Sequence, residues 1–355
     1  MRRSATRGRA TLRGGGDGAS STQVEKERDP EKTYFDSYTY TSIHRTMIKD
    51  TVRTETYRAA ILQNKHLFRD KVVLDVGCGT GILSLFSARA GARKVYGIEM
   101  SEMAVLAQKV VFDNKLDKIV EIIRGKVEEV EIPEKVDVIV SEWMGYCLFY
   151  ESMLDSVLVA RDKWLKPGGV ILPDKVYLYL CGFSNNNFQR EKDETCSYNP
   201  ELDLNFSSLK PLAFKEPVIQ NINAKDVITK PFLVKQFDLL TDMVEDIEID
   251  EDISFNTTLS GTLSGIVAYF DVVFSQCLKD DYFFSTSPWS QSTHWYQTTF
   301  YFRNSFHVNR EESIEGYFVM KKNKKHFRDH DIEIGVSCRG VENDRSLAQK
   351  FTLGF

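Results

Sequence analysis

VLDVGCGTG, Val73 to Gly81, decides the fold: a short apolar run stops in three glycines spaced GxGxG. Such a run reads as a strand buried in a sheet that turns directly into a helix, with glycines where the backbone must approach a ligand closely. A purely structural turn would need one glycine rather than Gly77, Gly79 and Gly81 together. The dinucleotide fingerprint GxGxxG would put glycine or alanine at position 82, where Ile82 stands instead. Asp75, just before the loop, adds a carboxylate at the carboxyl end of the strand, where ligands of α/β sheets bind.

Outward from this loop, ILSLFSARAG reads as a helix closed by Gly91, KVYGIEM as a second strand and Ala104 to Asn114 as a second helix. IVEIIRG and KVDVIVSEWM follow as a third and a fourth strand. Strands alternating with helices predict a parallel, Rossmann-like α/β sheet. Glu99 ends the second strand about twenty residues after the loop, where an acid accepts hydrogen bonds from both hydroxyls of a ribose. An adenosine ligand follows. NAD and S-adenosylmethionine both meet that description, and the glycine spacing with no second nucleotide fingerprint favours the methyl donor.

Upstream, Ser42 to about Gln63 reads as one helix, with Ile43, Met47, Ile48, Val52, Tyr57, Ile61 and Leu62 roughly on one face. Past WLKPGGVILPD the helical period fades, and IVAYFDVVFSQ, HWYQTTFYF and DIEIGVSC read as strands. Ile266, Ala268, Phe270, Val272 and Phe274 would share one face of the first of these. The second half is therefore expected to be mostly antiparallel β, as a barrel or sandwich. The opening MRRSATRGRATLRGGG carries five arginines and no acid, so residues 1–30 read as a disordered basic, glycine-rich tail. The expected organisation is that tail, a helical segment over 31–66, a donor-binding domain over 67–174 and a β domain over 175–355.

Forty-six basic residues against fifty-one acids give a net charge of −5, which argues against nucleic-acid binding through a broad positive surface. No apolar run approaches the ~20 residues of a membrane-spanning helix. The six cysteines are scattered, with no CxxC pair and no histidine at zinc spacing, so no metal site and no disulfide scaffold are expected. Free thiols suit a reducing, intracellular compartment.

SEWMGYCLFYESML, Ser141 to Leu154, carries the chemistry: Glu142 and Glu151 leave the fourth strand among Trp143, Tyr146, Phe149 and Tyr150. Carboxylates enclosed by aromatics lose hydration unless a cation joins them. A planar guanidinium with five donors can engage two carboxylates, and a lysine ammonium satisfies them less well. An ordinary solvated acidic loop would not carry so much aromatic surface.

From about Tyr34 to its end the chain resembles the type I protein arginine N-methyltransferases. YFDSY, Tyr34 to Tyr38, resembles their N-terminal cofactor-covering motif, VLDVGCGTG their first motif and GIEMS the motif after it. SEWMGYCLFYESML resembles their double-E loop, and STHWYQT around His294 their Thr-His-Trp loop. The resemblance implies methyl transfer from S-adenosylmethionine to arginine in histones and Gly/Arg-rich proteins. The products would be monomethyl- and asymmetric dimethylarginine, with S-adenosylhomocysteine left behind, in the cytoplasm and nucleus. It implies that Tyr38, His44, Met47 and Arg53 contact the donor, Arg53 at its carboxylate, and that Val127 and Glu128 meet the adenine. It assigns Tyr34, Met153 and Trp295 to the acceptor pocket, Met47 also lining it, with an Asp50–His294 pair beside the acceptor. The proton released would go to one of the two carboxylates or to that pair. Phe183 to Lys210 falls where the family inserts a helical dimerisation arm of a homodimer or higher oligomer. Here it lacks the tryptophans often seen there, and its apolar anchors would be Phe188, Tyr198, Leu202, Leu204 and Phe206.

Overall fold

The structure, a computed structural model, describes residues 30–278, 282–339 and 344–354. The tail read as disordered lies outside the described residues up to position 29. The described chain opens with three helices, α1 (Pro30–Ser37), α2 (Thr41–Lys49) and α3 (Thr51–Leu62). The single helix expected from Ser42 to Gln63 is thus broken. Asp50 leaves the helical region at φ −69°, ψ 96°, and its carboxylate caps α3 by accepting from the Arg53 N–H.

Five parallel strands follow: β1 (Val72–Val76), β2 (Lys94–Glu99), β3 (Val120–Arg124), β4 (Val136–Ser141) and β5 (Leu165–Leu172), in the order β3-β2-β1-β4-β5. α4 (Ile82–Arg89) links β1 to β2, α5 (Met103–Asp113) β2 to β3 and α6 (Met153–Trp164) β4 to β5, while β3 leads to β4 without a helix. Every residue of β1 is buried, which is why the sequence there is apolar on both faces apart from Asp75. The chain turns from β1 to β2 on one side and to β4 on the other, so a crevice opens at the carboxyl ends of β1 and β4. β5 lies in the stretch that the sequence marked only as a boundary.

The second half begins with β6 (Lys175–Phe183) and an excursion made of α7 (Asn186–Thr195), the hairpin of β7 (Tyr198–Asn199) and β8 (Leu204–Asn205), and α8 (Lys210–Ala213). β9 (Val218–Gln220), β10 (Phe232–Asp238), β11 (Ile249–Asn256), β12 (Gly261–Val273), β13 (Phe283–Ser285), β14 (Gln297–Val308), β15 (Ser313–Lys322), β16 (His330–Arg339) and β17 (Asp344–Leu353) complete the chain. They form two antiparallel sheets, β10-β6-β12-β14-β9 with β13 on β12, and β11-β15-β16-β17. Ile266, Ala268, Phe270, Val272 and Phe274 do share a face: they enter the main core, whereas Val267 and Tyr269 between them join a second cluster with Phe183 and Tyr301. The main core is continuous with that of the parallel sheet, so the two halves pack as one body around the crevice.

Candidate functional site

A cavity of about 1280 Å³ occupies that crevice. It exceeds the roughly 300–1000 Å³ of a site for one small ligand and leaves room for two. α1 and α2, the glycine loop, the loop between β4 and α6, His294, Trp295 and residues 326–329 form its walls.

Gly77, Gly79 and Gly81 all have positive φ, at 69°, 52° and 80°. A Cβ on Gly77 would stand 2.2 Å from Met153 Cε, the far end of a flexible side chain, so it is the left-handed backbone at φ 69° that favours glycine there. Glu99 is nearly buried at the end of β2, its two oxygens accepting the N–H groups of Gly79 (2.8 Å) and Ser101 (2.9 Å). Each oxygen has a second lone pair, and Glu99 lines the cavity. Asp75 does not line the cavity: it is 0% exposed and accepts from Ser84 Oγ of α4 at 2.7 Å. Strand residues alternate in direction, and Asp75 points into the helix layer. Burial pushes its carboxyl up to about 7, against the pull of the Ser84 hydrogen bonds.

Both acids of the loop after β4 reach the cavity, in different environments. Glu142 Oε2 accepts from Arg53 Nε (3.1 Å) and lies 3.0 Å from Nη2, while Arg53 Nη1 donates to the Met47 carbonyl. The loop therefore does not present two unpaired carboxylates, because α3 supplies a cation for one of them. Glu151 has φ +78° and accepts from the Tyr38 hydroxyl at 2.7 Å. Burial raises its carboxyl to about 7, against the hydrogen bonds of Tyr38 and Tyr34 and with help from nearby Glu142. Of the four aromatics expected around the acids, Trp143, Tyr146 and Tyr150 line the cavity, whereas Phe149 turns into the core against Phe237.

The remaining residues singled out in the sequence fall as follows. Tyr34, Tyr38, His44 and Met47 line the side formed by α1 and α2, and a His44 ring nitrogen bonds the Tyr38 carbonyl at 2.8 Å. Val127 and exposed Glu128 line the far end beyond β3, with Ser156 Oγ donating to Glu128 at 2.6 Å. His294 Nδ1 lies 2.7 Å from Asp50 Oδ2, which also accepts the His294 backbone N–H at 2.8 Å. Burial would lift the Asp50 carboxyl, but the hydrogen bonds from His294 and Arg53 outweigh it and hold it below the usual range. An ionised Asp50 accepts, so Nδ1 is the donor of this bond and Nε2 is the ring nitrogen left for other partners. Trp295 is only 3% exposed; its Nε1–H donates to the Met144 carbonyl and its ring stacks on Phe284, so it mainly fixes the loop that carries the acids. Glu31, Lys126 and Arg328 also line the cavity, and no motif marked them in advance. Among the described residues no group of histidines, cysteines or acids has the arrangement of a metal site, and no helix is long and apolar enough to cross a membrane.

Residues 73–169 match the model of a methyltransferase domain, and residues 174–340 that of the arginine methyltransferase oligomerization subdomain. The chain is 45% identical over 341 residues to protein arginine N-methyltransferase 1 of Caenorhabditis elegans, covering 95% of this chain and 97% of that one. It is 44% identical to the Chlamydomonas reinhardtii protein of the same name, covering 97% and 99%. A chain of the Trypanosoma brucei PRMT1 enzyme-prozyme heterotetrameric complex with AdoHcy superposes with a TM-score of 0.86 at 37% identity, over 90% of this chain and 100% of that one. Protein arginine methyltransferase 10 of Arabidopsis thaliana gives 0.82 at 34% identity, with the same coverage.

Proposed function

Because this chain belongs to the type I protein arginine N-methyltransferases, S-adenosylmethionine-dependent enzymes, we propose that its cavity holds an arginine guanidinium between Glu142 and Glu151 and methylates it. The products are monomethyl- and asymmetric dimethylarginine. One observation carries the reading: two carboxylates from one loop enter a single cavity, beside a glycine loop at the end of β1.

The residues fit the donor. Glu99, oriented by two backbone N–H groups, has lone pairs for both ribose hydroxyls, and Gly77 leaves no side chain in the way. Arg53 would meet the donor's carboxylate with His44 and Met47 beside it, and Val127 and Glu128 the adenine. S-adenosylmethionine supplies a methyl group activated by its sulfonium.

The acceptor arginine is protonated, with a pKa of ~12.5–13.8, and removing its proton fully at pH 7 would cost roughly 8 kcal/mol. Glu142 and Glu151 avoid that cost. By localising positive charge on the nitrogens they bind, they leave the third nitrogen more lone-pair character, and it sheds its proton as the new bond forms. Glu151 and His294 Nε2 are the available acceptors for that proton, the first a weak acid through burial, the second supported by ionised Asp50. Met47 and Met153 are unbranched, so a nitrogen already carrying one methyl group still fits.

The substrates under this reading are flexible, Gly/Arg-rich protein segments, histones among them, met in the cytoplasm and nucleus. All six cysteines are free and buried, which is compatible with a reducing compartment. Tyr198, Leu202 and Leu204 of the arm are more than half exposed, and Phe112 of α5 is 69% exposed. Exposed apolar side chains on two separate surfaces suit a symmetric homodimer in which each arm docks on its partner's donor domain. The Phe188 side chain, also expected as an anchor, lies outside the described residues. The test is incubation with labelled donor and paired peptides carrying arginine or lysine between glycines. Label in the arginine peptide alone supports the proposal, and equal labelling of lysine refutes it.

A further inference from the structure

The loop Asn323–Asp329, between β15 and β16, reaches across the cavity to the backbone of Glu151. The Glu151 N–H donates to the Arg328 carbonyl at 3.0 Å, and Arg328 Nη1 donates to the Glu151 carbonyl at 2.7 Å. Ser152 Oγ adds a bond to the Phe327 carbonyl at 2.7 Å. Glu151 and Ser152 are both left-handed, at φ 78° and 54°, a conformation that L-residues hold only when their surroundings over-determine it. The clamp from residues 327 and 328 is that surrounding.

The same guanidinium also grips α1. Its carbon lies 3.9 Å from the centre of the Tyr34 ring and 5.1 Å from that of Phe35, and Nη2 is 3.8 Å from Glu31 Oε1. Glu31 in turn pairs with Lys126 through its other oxygen at 2.7 Å. One turn further along, Tyr38 donates to the Glu151 carboxylate. Arg328 therefore sits where α1 meets the backbone of the acid that α1 hydrogen-bonds.

We infer that Arg328 is a positioning residue for the transfer, a single guanidinium that couples closure of α1 over the cavity to the placement of Glu151. Its planar face stacks on Tyr34 while one nitrogen holds the Glu151 carbonyl. An ammonium cannot do both, so lysine is not a conservative replacement. The inference rests on the role given to Glu151 above.

The test uses Arg328→Met and Arg328→Lys in the full chain, with Glu151→Gln beside them. Lysine keeps the charge and stem, so that variant reports even where the methionine variant folds poorly. Misplacing a catalytic group by an ångström costs about 100-fold, so we expect kcat to fall by about that factor in both, with a smaller change in acceptor KM. Hydrogen exchange of the amides of residues 31–38 should quicken by about ten-fold or more as α1 loosens. Glu151→Gln, with Arg328 in place, should lose turnover while α1 exchanges near the wild-type rate. Arg328 variants that turn over at wild-type kcat, or lose turnover with α1 exchange unchanged, overturn the inference. Normal turnover in Glu151→Gln would instead remove the role of Glu151 on which it rests.

Discussion

Arg53 and Glu142 are joined through two guanidinium nitrogens, Nε and Nη2, at 3.1 and 3.0 Å from one carboxylate oxygen, with both side chains about nine-tenths buried. The pair spans the two halves of the proposed chemistry, because Arg53 is assigned to the donor and Glu142 to the acceptor. Removing one partner of a buried pair commonly costs ~3–5 kcal/mol, since the other is left uncompensated. Arg53→Met should therefore lower the melting midpoint, weaken donor binding and lower turnover together. Arg53→Met combined with Glu142→Gln should regain stability but no activity, as scanning calorimetry and a turnover assay on the same samples would show.

The two acids should separate in donor binding. Glu151→Gln removes the charge that holds the guanidinium and leaves Arg53 untouched, so turnover falls by about 100-fold or more with donor affinity within about three-fold. Glu142→Gln loses turnover as well, and also weakens the donor because it frees the head of Arg53. Titration calorimetry with S-adenosylmethionine checks the contrast, and equal donor affinities in the two variants would contradict it.

The acceptor should bind poorly in acid. Glu151 has its carboxyl raised from 4.5 to about 7, and a guanidinium needs it ionised. Below about pH 7 acceptor kcat/KM should fall about ten-fold per unit, while kcat at saturation changes less because the bound cation favours the carboxylate. The sign for stability is opposite. A raised acid holds its proton more tightly when folded, so the folded state loses stability as the pH climbs from 4.5 through 7. Glu151→Gln should melt above wild type at pH 8, with the difference closing at pH 5. A melting difference that does not change with pH would show that Glu151 is not held up.

Asp75 and Glu99 separate the cavity wall from the layer behind it. Glu99→Gln should weaken S-adenosylmethionine by about ten-fold or more through the ribose contacts, whereas Asp75→Asn keeps the Ser84 hydrogen bond and should change donor affinity by less than about three-fold. A large donor effect at Asp75 would reinstate it as a ligand contact.

Deleting residues 186–210 removes Tyr198, Leu202 and Leu204 from the surface. Sedimentation should then show monomers with weakened donor binding and little turnover, since the arm is proposed to brace the partner's donor domain. A folded monomer with full turnover would detach assembly from catalysis.

The parallel half was legible because its signals are local. β1 is apolar but for Asp75, and the glycines follow it directly, so period and turn chemistry suffice. What escaped is long-range. Asp50 is a helix N-cap residue whose bond to the Arg53 N–H is local, but the histidine that also holds its carboxylate is 244 residues away. The Arg53–Glu142 pair spans 89 positions, and Arg328 meets Glu151 across 177. Asp75 lies behind the cavity wall for a different reason: β1 is buried on both faces, so spacing does not tell which face meets the cavity.

The most direct measurement is the identity of the methylated arginine. Purified enzyme, donor and an arginine-glycine peptide are incubated to completion, the product is hydrolysed, and the dimethylarginine isomers are separated. If Glu142 and Glu151 pin two nitrogens while the third is exposed to the donor, both methyl groups arrive on one nitrogen. Monomethylarginine should appear first and asymmetric dimethylarginine should accumulate, with neither formed by Glu151→Gln. Symmetric dimethylarginine as the main product, or no methylarginine from the wild-type enzyme, would contradict the account.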